Sequence, residues 1–257
     1  MPQAVKSTAP RPAPRRMSCA ETLRALEQAG SAQTRKTYAR HGAQEPMFGV
    51  SFATLKTLVK RIGVDHELAL ALWKTRNHDA RTLALKIADP AKMKAADLDR
   101  WAREVGMCRS YLTALAAEGP HGATRMRKWL AASDAGLRAC GWGLAGQLAN
   151  LDEKVSDDWF AKRLALIEKT VHSASNDERE AMNLTLIAIG GRSPALRKAA
   201  TAAAKRIGKV EVDHGETSCK TPDAAGYIEK IWTHAKAKGF ASPAAQERAR
   251  ESMRTRC

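Results

Sequence analysis

The chain has 257 residues and carries 43 Lys and Arg against 27 Asp and Glu, which gives a formal net charge of +16 at pH 7. An excess of this size favours a polyanionic partner, because each phosphate that a basic side chain neutralises releases condensed counterions. The five cysteines are odd in number and form no Cys-x-x-Cys pair, which argues against a disulfide framework and a zinc site. No apolar run reaches the roughly 18 residues of a membrane helix, which argues against a membrane span.

The first segment, residues 1–17, is rich in Pro and Ala and shows no apolar periodicity. It contains four basic residues, Lys6, Arg11, Arg15 and Arg16. Such a composition predicts a disordered basic arm. The arm is either a tail that contacts phosphates or a linker, and its charge does not distinguish these two roles.

Helix-start signals begin at Ser18. Ser18 and Glu21 have the spacing of a capping box, which predicts a helix that runs to Ala29 and stops at Gly30. Apolar residues at helical spacing follow each of the next three N-cap residues, Ser51, Asp65 and Asn77. The N-terminal third of the chain is therefore predicted to be a series of short helices.

Helical patterns continue to the end of the chain. Further helices are predicted over residues 97–105, 108–117, 122–132 and 134–149, and three late starts place Pro directly after a hydroxyl residue, at Ser193-Pro194, Thr221-Pro222 and Ser242-Pro243. No alternating strand pattern competes with them. We predict an all-α fold with a repeat domain over 18–240 and a basic C-terminal helix over 241–257.

The predicted helices come in pairs with short connectors, and no heptad pattern persists along the chain. Such a pair cannot bury both of its apolar faces alone, so stacking into a curved solenoid is the expected solution. A solenoid offers one extended ligand a concave face with many helix ends. The alternative is an irregular helical bundle.

Several motifs recur in a characteristic order. They are Tyr38-Ala39-Arg40-His41-Gly42, Phe48-Gly49-Val50, His78-Asp79-Ala80-Arg81, Trp129 with Leu137-Arg138, and the run Val210–Asp223. In this order and spacing they resemble the DNA alkylation repair family of AlkD-like DNA glycosylases. The likeness covers about residues 20–238 and implies a HEAT-like, ARM-type repeat solenoid.

The resemblance also implies a chemistry. Members of this family excise alkylated, positively charged purines from duplex DNA, and they place one Asp and two Trp side chains at the deoxyribose of the lesion. The carboxylate stabilises the oxocarbenium-like charge while the glycosidic bond breaks, and the indoles supply cation–π stabilisation. Unlike most glycosylases, they do not flip the base into a pocket.

This chain departs from the family pattern at the three positions that carry the chemistry. The first Trp falls on Cys108, the Asp on Leu112 and the second Trp on Leu184. A leucine cannot stabilise a developing cation. Arg138, in contrast, matches a basic position that contacts the DNA backbone beside the lesion, so the resemblance supports DNA binding more than base excision.

Two alternatives remain open from the sequence. The first is an active glycosylase that excises N3- or N7-alkylpurines with a relocated acid, for which Glu45, Glu104, Asp134 and Glu180 are the candidates. The second is a helical scaffold for protein partners. Exposed carboxylates are usually solvated or cap helices, as expected of Asp134.

Basic residues recur along successive helices and predict a phosphate-tracking stripe on a concave basic face. The expected DNA contacts, besides Arg138, are Tyr38, Arg40, Lys56, Lys60, Arg81, Arg127, Lys128 and Arg197. His214 and Cys219 have no partner at metal-ligand spacing, so no metal or cofactor is predicted. We expect a cytoplasmic protein that associates with the nucleoid through damaged or distorted duplex DNA.

Overall fold

The computed structural model describes residues 16–255, so nearly all of the predicted arm at residues 1–17 lies outside the described part of the chain. The described residues form helices and no β-strand. The first seven helices are α1 (Cys19–Ala29), α2 (Ala32–Arg40), α3 (Phe52–Ile62), α4 (His66–Lys74), α5 (His78–Ile87), α6 (Ala95–Glu104) and α7 (Arg109–Glu118). The predicted all-α class is confirmed.

The second half of the chain continues the same pattern. Its helices are α8 (Gly122–Leu130), α9 (Ala135–Leu151), α10 (Asp157–Thr170), α11 (Asn176–Gly190), α12 (Pro194–Ile207), α13 (Ala224–Ala237) and α14 (Pro243–Arg248). Three short 3₁₀ turns lie at Pro90–Lys92, Gly106–Cys108 and Val171–Ser173. Between residues 16 and 255, none of the helices is long and apolar enough to span a membrane.

Side-chain caps explain most of the helix starts. The side chains of Ser18, Ser51, Asp65, Asn77, Ser193 and Ser242 each accept a hydrogen bond from a backbone N–H in the first turn of the helix that follows. Thr221-Pro222 was a wrong prediction for the start of α13. The cap is Asp223, whose carboxylate accepts a 2.7 Å hydrogen bond from the N–H of Gly226, and an Asp is as good a cap as a hydroxyl residue.

The helices form two layers. In the first layer α5, α7, α9, α11 and α13 pack side by side, and the α9–α11 contact is the most extensive. Behind it α4 packs on α5, α8 on α9, and α12 on both α11 and α13. Close approach is built in at Gly141 of α9, where a Cβ would lie 2.7 Å from the backbone nitrogen of Leu130. The stacked helix pairs match the repeat arrangement predicted from the sequence.

Large aromatic side chains fill the space between the layers. Trp73 and Trp101 stack with their ring centroids 4.1 Å apart, and Trp129 is fully buried. The Trp129 indole donates a 2.8 Å hydrogen bond to Asp99, a buried carboxylate that also accepts from Lys128 and Arg125. Burial alone would raise the pKa of Asp99, but these hydrogen bonds and charges hold it below its usual value. Trp73, Trp101 and Trp129 are therefore core residues.

The His78–Arg81 motif has a structural purpose. Asp79 is completely buried, and its carboxylate accepts hydrogen bonds of 2.7, 3.0 and 2.8 Å from the backbone N–H groups of Phe48, Gly49 and Val50. Those three donors satisfy a charge that would otherwise be costly to bury. Asp79 thus fixes the loop between α2 and α3 against the start of α5.

The C-terminal segment differs from the single basic helix predicted over 241–257. Helix α14 ends at Arg248, and the chain then runs back to the end of α5. There the buried Arg254 donates hydrogen bonds to three carbonyl oxygens, those of Leu85, Lys86 and Ala88. The last carbonyls of a helix lack partners within the helix, and the guanidinium of Arg254 donates to them, which anchors the C-terminal segment to the end of α5.

Candidate nucleic-acid interface

Helices α7, α9 and α11 leave a hollow of about 470 Å³ between them. The side chains and backbone that line it include Met107, Ser110, Gly143, Gln147, Glu180 and Leu184. Gly143 and Gly146 of α9 also line it, and a Cβ at either position would lie 3.3 Å from a threonine side chain, Thr113 of α7 or Thr185 of α11, so these glycines let the neighbouring helices approach α9 closely. The hollow therefore has two walls, formed by α7 and α11, and a floor formed by α9.

A second hollow of about 1040 Å³ lies between α11, α13 and α14. Its lining includes Tyr227, Lys230, Ile231, His234, Gln246 and Arg250. Both hollows are lined by Asn150, Leu184 and Ala188, so they adjoin one another. We call the two hollows together the central groove.

The α7 wall does not present the two residues expected there. Leu112 is fully buried and Cys108 is 4% exposed. The Sγ of Cys108 lies 3.1 Å from the hydroxyl of Thr82, and burial raises the pKa of its thiol to about 11. Cys108 and Leu112 therefore belong to the core, and the α7 wall consists of Arg109, Ser110 and Thr113, with Met107 of the preceding 3₁₀ turn.

The α11 wall presents Leu184 as expected, and it adds a carboxylate. Leu184 is 51% exposed and lines both hollows. Glu180, one helical turn earlier, lines the first hollow, and its Oε1 lies 4.0 Å from the Nδ1 of His214. His214 in turn is 3.0 Å from the hydroxyl of Thr221. The connector between α12 and α13 thus holds a histidine behind the carboxylate of the α11 wall.

The other three carboxylates proposed as relocated acids have structural partners. Glu104 forms an ion pair with Arg81, and Asp134 caps α9 with a 2.7 Å hydrogen bond from the N–H of Leu137. Glu45 accepts a 2.7 Å hydrogen bond from the N–H of Met47. Of the four candidates, Glu180 is the one that lines the central groove.

Arg138 connects α9 to α11. Its Nε and Nη2 donate to the two oxygens of Glu178 at 2.6 and 2.9 Å, and its Nη1 donates to the carbonyls of Ala132 and Ser133. Burial by itself would raise the pKa of Glu178, but the hydrogen bonds from Arg138 and Ser175 hold it below its usual value. The guanidinium is about one-third exposed. Most of its donors are therefore engaged within the protein.

Four further basic residues predicted to contact DNA lie outside the groove lining. Arg81 pairs with Glu104 and lies over the Trp73 ring at 4.7 Å, and burial lowers its pKa. Arg127 and Lys128 belong to α8, in the layer behind the groove, where Lys128 donates to Asp99. Arg197 of α12 pairs with Glu229 and lies over Trp232. These four residues lie on α5, α8 and α12, and none of them lines the central groove.

The residues expected near the N-terminus divide into buried and exposed groups. Tyr38 is 6% exposed, its hydroxyl donates a 2.7 Å hydrogen bond to the carbonyl of Val50, and its ring packs on His78, so the structure places this predicted DNA contact in the core. Arg40 and Lys60 are exposed, and Lys56 is half-buried. These three belong to α2 and α3 rather than to the central groove.

The central groove itself carries charges of both signs. Its basic side chains are Arg109, Lys230 and Arg250, and its carboxylates are Glu180, Glu229 and Glu247. Arg109 of α7 also pairs with Asp177 of α11 at 2.7 Å, which joins the two walls. The large positive excess of the chain is therefore not concentrated in the groove lining.

Sequence reasoning missed Glu178 and Tyr227. Ser175 and Glu178 have the capping-box spacing, and the hydroxyl of Ser175 does donate to Glu178 at 2.8 Å, so this signal could have located the start of α11. Tyr227 gave no such signal, because its 42% exposure depends on how α13 packs against α11.

Comparison with known proteins places this architecture among its relatives. The protein Lin0241 of Listeria innocua is 30% identical over 217 residues, which cover 81% of this chain and 93% of the relative. Lmo0209 of Listeria monocytogenes is 28% identical over the same shares. A solved structure, described as a new family of proteins related to the HEAT-like repeat DNA glycosylases with affinity for branched DNA structures, has a TM-score of 0.76 at 29% identity. The match covers 88% of this chain and 96% of that one.

The structural relative confirms the HEAT-like repeat fold predicted from the sequence. A family model described as DNA alkylation repair enzyme matches residues 22–228, close to the stretch over which the motifs resemble that family. The chain therefore belongs to the DNA alkylation repair enzyme family.

Proposed function

We propose that this chain binds distorted or branched duplex DNA across the central groove. The observation that carries the proposal is the open groove along α7, α9, α11 and α13, in a chain with a net charge of +16. The affinity of the structural relative for branched DNA structures supports it. Membership of the DNA alkylation repair enzyme family also supports the proposal.

The basic residues suit recognition of shape rather than of sequence. Lys230 and Arg250 lie in the groove, and Arg40 and Lys60 are exposed on α2 and α3. Contacts from such side chains to phosphates fix the position of a duplex without reading its bases. DNA that is already bent or branched lowers the deformation energy of docking and is therefore bound more tightly than linear duplex.

Fluorescence anisotropy with labelled DNA tests the proposal. We expect a four-way junction, and a duplex that contains 7-methylguanine, to bind more tightly than an undamaged linear duplex of equal length. The logarithm of the binding constant should fall linearly with the logarithm of salt concentration, by about 0.9 for each phosphate contact. If no DNA binds even at low salt, the proposal is rejected.

A pair of charge reversals locates the interface. Lys230→Glu changes a groove residue, and Lys169→Glu makes the same change at an exposed position of α10. We expect Lys230→Glu to weaken binding to all DNA and to reduce the salt slope by about one unit. Lys169→Glu should leave both nearly unchanged. Equal losses in the two variants would move the interface away from the groove.

A second candidate function is base excision that uses Glu180. The observation in its favour is a partly exposed carboxylate in the groove with His214 behind it. In that reaction the bond between C1′ and the alkylated purine breaks, and the base leaves with the electron pair. The carboxylate stabilises the oxocarbenium-like sugar, and water adds to C1′ and gives a proton to Glu180.

Release of base from DNA that contains 7-methylguanine separates the two functions. Excision by Glu180 requires release faster than the spontaneous rate, with loss of that excess in Glu180→Gln. Glu180→Gln keeps the shape of the side chain, so DNA binding serves as its folding control. Release at the spontaneous rate by a protein that binds the same DNA rejects the second candidate and leaves the first intact.

A further inference from the structure

Large hydrophobic side chains are exposed at four places in the part of the chain that the structure describes. They are Val64, Leu166, Leu184 and Tyr227. Leu184 of α11 and Tyr227 of α13 line the same hollow of the central groove, at 51% and 42% exposure, whereas Val64 and Leu166 do not line it. Single exposed apolar residues are ordinary, but two that share a groove indicate a binding surface.

Leu184 is exposed because the residues around it in the groove are small. The same face of α11 continues into Ala188, and the facing stretch of α9 presents Gly143 and Gly146. Neighbouring α11 residues on either side of Leu184 are buried. The backbone position is therefore rigid while the side chain stays open to the groove. A rigid, uncovered apolar group is suited to contact a flat ligand, because little ordering is needed on binding.

Charges beside this apolar pair favour a nucleotide. The Nζ of Lys230 lies 5.6 Å from the centroid of the Tyr227 ring, and Arg250 lines the same hollow. The carboxylates of this hollow have cationic partners, since Glu229 pairs with Arg197 and Glu247 with Arg250, so Lys230 supplies the positive charge beside the apolar pair. A nucleobase offers an apolar face and carries a phosphate next to it, so it matches an apolar surface with a cation at its edge.

From this juxtaposition we propose that Leu184 and Tyr227 contact the exposed face of a base pair at a DNA branch point. Base pairs inside a linear duplex cover one another's faces, whereas a branch interrupts the stack and leaves a face open. Aliphatic and aromatic side chains are the groups that proteins place against such interrupted base steps. The proposal rests on DNA binding in the central groove and names the DNA feature that the groove selects.

The experiment measures the ratio of affinities for a four-way junction and for linear duplex. In the double variant Leu184→Ala/Tyr227→Ala the ratio should fall by about fivefold or more, the lower range for loss of one stacked base. Affinity for linear duplex should change less than twofold. Tyr227→Phe should keep the ratio, because the contact uses the ring face and not the hydroxyl. Leu166→Ala and Val64→Ala are matched controls that remove exposed apolar groups outside the groove.

A second measurement reports the contact directly. A 2-aminopurine at the branch point should change its fluorescence when the wild-type protein binds, and the change should be lost in the double variant. An unchanged affinity ratio in the double variant overturns this proposal while DNA binding stands. If the wild-type chain binds neither DNA, both this proposal and the proposed function fail. Thermal unfolding of each variant shows that the fold is retained, as expected for exposed positions.

Discussion

On the α7 wall of the central groove, Cys108 and Leu112 point into the core, whereas on the α11 wall Glu180 and Leu184 reach the groove surface. Both walls carry positions where the family resemblance implies catalytic side chains. The two positions on the α7 side are packed into the core, and the position on α11 is open to the groove. We therefore expect a new chemical group to be tolerated on α11 and not on α7.

The largest effect is expected from placing a carboxylate on α7. Leu112→Asp places a charge in a fully buried site without a partner, so the free energy of unfolding should fall by at least about 3 kcal/mol. Urea unfolding followed by circular dichroism measures this loss. Base excision should not appear, because the new carboxylate does not face the groove.

Leu184→Asp is the matched control on α11. It makes the same change at a half-exposed position, so its stability should stay within about 0.5 kcal/mol of the wild-type chain. Similar losses in the two variants would mean that positions 112 and 184 do not differ in burial.

The next prediction concerns the thiols. Burial raises the pKa of Cys108 to about 11, so at pH 8 only about one molecule in a thousand carries the reactive thiolate. Cys219 is exposed. In native protein an alkylating reagent should modify Cys219 at least about a hundredfold faster than Cys108, as read by peptide mass mapping. In urea the two rates should converge, and fast native labelling of Cys108 would place it on the groove surface.

A smaller effect is expected where α9 and α11 are joined. Arg138→Ala leaves the buried Glu178 without its counterion and should cost about 2 kcal/mol, less than a fully buried pair because Arg138 is about one-third exposed. Arg206→Ala breaks an ion pair of similar geometry, with Glu168, on the protein surface and should cost much less.

The Arg138 pair also predicts a pH dependence. The pKa of Glu178 is lowered in the folded chain, so its stabilising contribution is complete above the ordinary Glu value of about 4.3 and is lost as pH falls through the lowered pKa. Acid unfolding of Arg138→Ala should therefore show a shallower loss of stability below that pH. An unchanged acid profile would mean that Glu178 is not held by Arg138.

These contrasts show what the sequence could and could not predict. Capping residues located α1, α3, α4 and α5, because a cap acts within a few residues. Apolar periodicity does not predict the helix at Asn176–Gly190, since α11 is buried on most of its sides and lacks a clear polar face, although the capping-box spacing of Ser175 and Glu178 marks its start. The number of basic residues follows directly from the sequence, but the acidic groups that pair with them do not. Arg138 and Glu178 are 40 residues apart, and their pairing depends on how α9 packs on α11.

The smallest effect on stability is expected at the ion pair between the two walls. Asp177 of α11 pairs with Arg109 of α7, and because its side chain is 56% exposed, Asp177→Asn should change the free energy of unfolding by less than about 1 kcal/mol. The same substitution releases the Arg109 guanidinium into the groove. Affinity for DNA at low salt should therefore rise, and the salt slope should steepen by up to about one unit.

Asp158→Asn separates this local effect from the change in net charge. Asp158 pairs with Lys162 on α10, outside the groove, so its substitution raises the net charge by the same amount without releasing a groove cation. Equal gains in affinity would mean that the overall charge attracts the DNA and that Arg109 does not contact it. A gain confined to Asp177→Asn would place the phosphate backbone between α7 and α11, where Arg109 can reach it. The α7 wall would then be part of the binding surface, although Cys108 and Leu112 are buried behind it.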